Sequence, residues 1–367
     1  MKIAHLADAH LDTAFRLFSP EVARQRRQAI EASLRAAFEE ASNAGVDAIL
    51  VAGDLYEHDR VVPDTGEFLR ALFTQVAPTL VFVAPGNHDW FGPSSLYARL
   101  DWSPNVHIFA TDRLEPFELA EGLTLWGAAH CAPANTDGFL DQFSVDRDGV
   151  NIGLFHGSEQ GAFSFQEEGK VPHAPFRAAQ IGEAGLAHLF TGHLHTPIDA
   201  DAYTYPGNPE PLSFGERTTP TPGLVLATIG SDGRVERERR KVGQTHIADV
   251  QLNVTGCASG NDVRERAAAE LGAFTGCVRV TVSGELAPEV DISLTDIERS
   301  APHAMAVVAR VGALTTAYDI ESIKVENTVR GQFVADVLSA DLSDVLRQRI
   351  VATGLRALEG RSDLEVL

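Results

Sequence analysis

The chain opens on a short apolar run, residues 2–8 (KIAHLAD), that stops at a carboxylate after one strand's length. The same rhythm returns at 46–54 (VDAILVAGD), 79–87 (TLVFVAPGN), 105–110, 123–129, 150–157, 188–193 and 223–229. These runs are brief, rich in β-branched residues and flanked by Gly, Asn or Asp, as expected of strands buried on both faces. Helical spacing separates the first of them. Residues 20–45 start with Pro20 in the first turn and stop at Asn43-Ala44-Gly45, and 67–75 reads as a shorter helix. Strands alternating with helices predict a layered α/β domain.

The pattern changes at 231–244 (SDGRVERERRKVGQ), a polar, charged stretch that ends the series of apolar strands. Beyond it the periodicity predicts strand 246–254, helix 260–273, strands 277–284, 304–311 and 320–327, and a last helix over 341–358. The chain therefore reads as two domains, 1–241 and a smaller α+β domain of 242–367. No repeat or low-complexity segment interrupts either part.

Composition narrows the class. Of 367 residues, 44% are hydrophobic and 22% charged, which excludes disordered, collagen-like and coiled-coil chains. The formal charge is −21, divided as −15 on residues 1–240 and −6 on the remainder, so neither part is a basic module that coats nucleic acid. No apolar run nears the ~18–20 residues of a membrane span. The N-terminus meets His5 and Asp8 before any secretory core could form, and a cytoplasmic protein with no membrane association is expected. Three scattered cysteines, Cys131, Cys257 and Cys277, disfavour a disulfide framework or a thiolate metal site.

The chemistry lies where the strands end. Asp8-Ala9-His10, Gly53-Asp54, Gly86-Asn87-His88-Asp89, His156-Gly157 and Gly192-His193-Leu194-His195 each follow an apolar run. In an α/β sheet the carboxyl ends of strands face one crevice, so these turns converge although they are distant in sequence. Singly, most are weak: Gly-Asp is a common turn dipeptide, and a lone His156 is more often a satisfied core histidine than a ligand. Gly-His-x-His is stronger, since two histidines two apart on an extended segment point the same way. Together they pool carboxylates, an amide and imidazoles without sulfur, a donor set for Mn, Fe, Zn or a similar ion, and too large for one ion. A two-metal centre is the economical reading.

The order of these motifs resembles the calcineurin-like metallophosphoesterase superfamily. Within it, residues 5–12 (HLADAHLD), Gly53-Asp54-Leu55-Tyr56, and Tyr205-Pro206-Gly207-Asn208-Pro209 followed by Ser213-Phe214-Gly215-Glu216 resemble the SbcD-like DNA-repair exonuclease branch and its YhaO-type members. That resemblance implies a four-layered α/β/β/α sandwich with a smaller C-terminal α+β capping domain. It implies that Asp8, His10 and His195 hold a first metal and Asn87, His156 and His193 a second, with Asp54 bridging them. His88 would face the scissile phosphate and protonate the leaving oxygen, and Asp89 would orient a histidine or close the turn. Two divalent ions are implied, manganese foremost, with Fe, Zn or Mg as alternatives. The implied activity is metal-dependent hydrolysis of DNA phosphodiester bonds, as a 3′–5′ exonuclease and also an endonuclease. The alternative is a phosphatase or phosphodiesterase acting on nucleotides, small molecules or phosphoprotein through the same centre. A partner ATPase of the SMC/ABC type and a homodimer belong to the same expectation. Pro209-Glu210-Pro211-Leu212 departs from the branch, where a basic or polar residue is common, and bears on how that loop meets a DNA backbone.

Weaker signals take structural readings. His58 and Asp59 read as surface loop. Phe15, Trp90 and Phe91 read as support for the motif loops at least as readily as a base-stacking rim. Arg234, Arg237, Arg239, Arg240 and Lys241, interrupted by Glu236 and Glu238, read as a solvated strand or hairpin. His5, His107, His130, His188, His246 and His303 are assigned to structure, and the apolar stripe of the last helix to the core.

Overall fold

A computed structural model describes residues 1–161, 172–216, 223–288 and 290–360. It resolves into two compact units, Met1–Thr245 and His246–Leu367.

The first unit carries strands β1 (Lys2–Leu6), β2 (Ala48–Val51), β3 (Leu80–Val83), β4 (Val106–Ile108), β5 (Glu115–Ala120), β6 (Leu123–Gly127), β7 (Val150–His156), β8 (His188–Gly192), β9 (Ile198–Asp199), β10 (Tyr203–Tyr205), β11 (Gly223–Ile229) and β12 (Val235–Lys241). Its helices are α1 (Pro20–Asn43), α2 (Pro63–Gln75), α3 (Leu96–Arg99) and α4 (Ala178–Glu183). Two six-stranded sheets form, in the orders β12-β11-β1-β2-β3-β4 and β5-β6-β7-β8-β10-β9. The strands that lead into the motif loops, β1-β2-β3 and β7-β8, pair in parallel.

Strand periodicity explains the layering. Along β1, Ala4 and Leu6 face α1 and α2, where they meet Ile30, Leu34, Phe38, Leu69 and Phe73. Ile3 faces the other way, into the layer between the sheets with Leu50, Phe82, Leu125, Ile152, Leu154 and Phe190. The outer face of the second sheet is covered by Phe139, Phe176 and Ile181 over Trp126, Phe155 and Leu189. The result is an α/β/β/α sandwich in which the inner strands β1, β2, β3, β6, β7 and β8 are buried on both faces, the reason they are continuously apolar. Helix α1 is capped by Ser19, whose side chain accepts from Val22 N–H, and buries residues at helical spacing from Ala23 to Ala41.

Helix α2 begins at Pro63 rather than at 67, because Pro supplies the first turn. The basic run, expected as a solvated strand or hairpin, is the edge strand β12: Arg239 binds the Asp199 carboxylate at 2.8 and 2.9 Å, and Arg237 donates to the neutral Ala200 O and Thr204 Oγ1. Arg240 pairs with Glu238, and Arg234 with Asp232. Charged edges of this kind discourage strand addition. Glu210, the acidic departure in the 209–212 loop, is fully buried. Its Oε1 accepts from Arg26 at 2.5 Å and its Oε2 from Ser33 Oγ and Gln244 N–H, so it ties α1 to that loop and to the chain leaving β12.

The second unit is built on a three-stranded parallel sheet, β13 (Ile247–Asn253), β14 (Gly276–Leu286) and β15 (Ala304–Thr316). Helices α5 (Gly260–Leu271) and α6 (Leu294–Glu298) connect them and cover Leu252, Val278, Val280 and Val282. The strand expected at 320–327 is absent. Asp319 accepts a hydrogen bond from Ser322 N–H and starts helix α7 (Ile320–Ile323), a local cap that outweighs the β-branched composition. Helices α8 (Val329–Ser339) and α9 (Asp344–Leu358) follow. The stripe on α9 is only partly core: Val351 and Leu355 are buried, whereas Leu346 and Leu358 are half exposed. No helix among the described residues is long and apolar enough to cross a membrane.

Candidate metal centre

Parallel pairing aligns the carboxyl ends of β1, β2, β3, β7 and β8, and backbone hydrogen bonds knit the loops beyond them. Asp8 N–H donates to Gly53 O (3.0 Å), His10 N–H to Asp54 O (2.9 Å) and Gly157 N–H to Gly192 O (3.2 Å). Asp8, His10, Asp54 and His193 adopt left-handed backbones, with φ of 57°, 49°, 51° and 106°. Such conformations cost about 1–3 kcal/mol each outside glycine and persist only where surrounding bonds impose them. Gly86 must stay bare for a related reason: a Cβ there would lie 2.3 Å from Asp54 Oδ1.

These loops bring the sequence-selected side chains together. Asp8, His10 and His195 offer donor atoms within 4.8 Å of one another, and so do Asp54, His156 and His193. Asp54 lies between the two groups, its Oδ2 at 3.2 Å from His156 Nε2 and 3.6 Å from His10 Nε2. His193 is oriented by its N–H, which donates to Asp8 Oδ1 at 2.9 Å. Asn87 is buried, and its Oδ1 has no hydrogen-bond partner among the described residues.

Three histidines have one ring nitrogen committed to an acceptor. His10 Nδ1 meets Glu57 Oε1 at 2.8 Å, His195 Nδ1 meets Glu216 Oε1 at 3.0 Å, and His156 Nδ1 meets Ala52 O at 2.8 Å. Carboxylates and carbonyls only accept, so Nδ1 carries the hydrogen and Nε2 presents a lone pair. In that tautomer His10 Nε2 and His195 Nε2, 3.2 Å apart, aim two lone pairs at one point. His156 Nε2 is buried and faces Asp54 Oδ2 at 3.2 Å. Five carboxylates (Asp8, Asp54, Glu57, Asp89 and Glu216) gather around these imidazoles, all but Glu57 and Glu216 fully buried. Lone pairs without donors, amid an excess of buried acid, fit cations.

Electrostatics follow from this crowding. Burial disfavours ionised Asp54, but the charge and hydrogen bond of His156 overcome it and hold the carboxyl well below its usual range. Burial opposes the imidazolium of His88, yet the hydrogen bond to Glu57 and the charge of Asp54 raise it to about 9. Burial opposes Glu57 ionisation as well, and its bonds to both histidines bring it to about 2.

His88 and Asp89 sit differently from the rest. His88 is half exposed; its N–H donates to Asp54 Oδ1 at 2.8 Å, and its ring meets His10 edge to face at 4.7 Å. Asp89 orients no histidine. Its Oδ1 accepts from Gly86 N–H (2.6 Å) and Asp54 N–H (3.0 Å), its Oδ2 from Leu55 N–H (2.8 Å) and Tyr97 O–H (2.6 Å), so it closes one turn and locks it to the next.

Sequence reasoning does not single out Glu57, although a carboxylate three residues after Asp54 is a visible signal. Glu216 is visible only as part of a motif. It also accepts from Asn208 Nδ2 (2.6 Å) and Leu212 N–H (2.8 Å), which explains why Asn208 and Glu216 belong to one motif. His173 carries no signal in the sequence; its ring lies 5.4 Å from that of His193. Phe15 is buried, Phe91 packs on the core, and Trp90 stacks on His58 at 3.9 Å, so these aromatics brace the loops. His188 bonds Thr204 Oγ1 and His130 bonds His156 O, both within the core.

Comparison with known proteins adds an independent line. The calcineurin-like phosphoesterase family profile matches residues 1–197. The uncharacterized metallophosphoesterase YhaO of Bacillus subtilis (strain 168) is 29% identical over 241 residues, 62% of this chain and 57% of that protein. The DNA double-strand break repair protein Mre11 of Methanopyrus kandleri is 27% identical over 249 residues, 59% of this chain and 50% of that one. Mre11 of Haloferax volcanii is 27% identical over 372 residues, covering 96% of this chain and 74% of the relative. The chain thus spans about half the length of the first two. With a dinuclear donor set at its strand ends, the chain belongs to the calcineurin-like phosphoesterase family.

Proposed function

We propose that the protein is a metal-dependent phosphodiesterase that cleaves DNA, acting as a 3′–5′ exonuclease and also as an endonuclease. The observation that carries this reading is the pair of Asp/His groups sharing Asp54, with half-exposed His88 beside them. Asp8, His10 and His195 would hold one divalent ion, Asn87, His156 and His193 the other, and Asp54 both. When bound, such ions neutralise phosphate oxygens and supply an acidified water as nucleophile. Glu57, Glu216 and Ala52 O fix the Nδ1–H tautomers that leave Nε2 free to ligate. His88, half exposed beside Asp54, is placed to give a proton to the departing oxygen, and Asp54 holds its backbone through His88 N–H.

Choice of DNA leans on the relatives named as double-strand break repair proteins, one of whose alignments runs through nearly the whole chain. The charge of −21 and the pairing of Arg239 with Asp199 and of Arg240 with Glu238 favour a grip on DNA that is local to the cleft. We assign catalysis to residues 1–241 and a capping role to 242–367. Manganese as the resident metal, an SMC-type ABC ATPase as partner, a homodimer and a cytoplasmic setting complete the proposal. Purified protein supplied with Mn²⁺ and offered end-labelled duplex DNA beside a panel of phosphomonoesters and nucleotides tests it. Shortening of the DNA from its 3′ ends is expected; turnover of monoesters or nucleotides with intact DNA would overturn it.

A further inference from the structure

Arg237 and Arg239 lie on one face of the edge strand β12, and only one of them is neutralised. Arg239 holds the Asp199 carboxylate through Nε (2.8 Å) and Nη2 (2.9 Å). Arg237 gives Nη1 to two neutral oxygens, Ala200 O and Thr204 Oγ1, and its corresponding Nε and Nη2 edge has no partner among the described residues. Arg237 lines a cleft of about 680 Å³, bounded by the start of β8 at Ala187 and His188, the turn at Asp201, and the β11–β12 hairpin at Asp232 and Arg234. The cleft lies at the end of the sheets away from the metal centre. His188 opens β8, and His193 follows its carboxyl end about 16 Å away at 3.3 Å per residue.

We propose that this cleft binds a small dipolar ligand, with an oxyanion seated on the Nε/Nη2 edge of Arg237 and an N–H donor end meeting the Asp201 carboxylate. A guanidinium edge matches phosphate and carboxylate oxygens in two parallel bonds, as Arg239 shows on Asp199. The other charges cancel or turn away. Arg234 is paired with Asp232 at 3.4 Å, and Glu236, next to Arg237 along the strand, projects to its opposite face. Asp201 is exposed, with its carboxylate in no ion pair among the described residues, so one cation stands in the cleft and one anion at its mouth. Opposite signs at the two ends favour a single anionic head on a donor-bearing tail over a polyanion. The volume falls within the range of about 300–1,000 Å³ typical of small-molecule sites. A nucleoside monophosphate with an aminated base and an amino acid with a cationic side chain share this head-and-tail chemistry; they differ in whether the head is phosphate or carboxylate.

Calorimetric titration of the full chain, stripped of metal so that phosphate finds no ion at the Asp/His groups, compares deoxyguanosine 5′-monophosphate, L-arginine and inorganic phosphate. The nucleotide joins a phosphate to a guanine N–H edge, arginine joins a carboxylate to a guanidinium, and inorganic phosphate has the head alone. Saturable binding of the nucleotide or of arginine, tighter than that of inorganic phosphate, is expected, and which of them binds identifies the head. Arg237→Gln should weaken that binding at least about tenfold, as expected when charge-assisted hydrogen bonds are lost. Asp201→Ala should weaken it toward the level of inorganic phosphate. Ala187→Trp, at an exposed position on the mouth, should block it by volume with every bond of Arg237 intact, so it decides the outcome if Arg237→Gln disturbs the strand. Absence of saturation by both dipolar probes at millimolar concentration would overturn the proposal, as would affinity unaltered in Ala187→Trp, Arg237→Gln or Asp201→Ala.

Discussion

Asp89 is the joint on which the centre's shape depends, and its removal has a calculable cost. The carboxylate receives three backbone N–H bonds, from Gly86, Asp54 and Leu55, and one hydroxyl bond from Tyr97, and it is fully buried. In Asp89→Ala four donors lose their acceptor where water has little access. At about 1–3 kcal/mol for each stranded buried group, the loss is expected to exceed about 4 kcal/mol. In Asp89→Asn the remaining oxygen can serve Gly86 and Asp54, while the new NH₂ opposes Leu55 N–H and turns to the Tyr97 oxygen. That exchange should cost about 2–3 kcal/mol. Tyr97→Phe removes one bond and leaves the carboxylate three, for about 1–2 kcal/mol. Urea unfolding followed by tryptophan fluorescence measures the series, because Trp90, Trp102 and Trp126 all lie in the first unit. Chelator in every sample removes metal-linked stabilisation, which would otherwise differ between variants. The losses are expected to decrease in the order Asp89→Ala, Asp89→Asn, Tyr97→Phe. A loss below about 1 kcal/mol for Asp89→Ala would refute the reasoning, since those donors would then have found other partners.

Two further outcomes follow from geometry and burial. Gly86→Ala, whose Cβ would sit 2.3 Å from Asp54 Oδ1, should lose bound metal on elemental analysis and at least about a hundredfold in kcat, whereas Gly92→Ala, with its nearest neighbour at 3.7 Å, should retain both. His188, buried against Thr204, is brought down to about 4 by burial and then by the charge of Arg237. The unfolded imidazole binds a proton near pH 6.5 and the folded one does not, so stability should fall on acidification from about 6.5 to 4, by up to about 3 kcal/mol. Denaturation midpoints compared with His188→Asn across that window should converge as pH falls; parallel curves would contradict the assignment.

Much of this protein is legible without coordinates because its information is one-dimensional. Runs buried on both faces are continuously apolar, and glycine-flanked polar residues at their ends announce loops that converge in a parallel sheet. That reasoning reaches Asp8, His10, Asp54, Asn87, His88, His156, His193 and His195, which the structure brings into one region. The continuous apolar run that marks buried strands fails for edge strands such as β5 and β12, whose outer faces are polar. Composition also misleads at 320–323, where a single Asp319 side chain decides for helix.

What the tertiary structure alone decided is the second ring of contacts. A sequence does not say which nitrogen of a histidine faces inward; that depends on Glu57, Glu216 and Ala52 O, which arrive from other loops or from 104 residues away in the case of His156. Glu210 reads as a surface departure in one dimension and is a buried partner of Arg26 in three. Asp89 looks like one more acidic residue of a motif until four donors are seen to converge on it. Ligand type is written in residue identity and local spacing, but orientation and charge balance arise only from packing between segments distant along the chain.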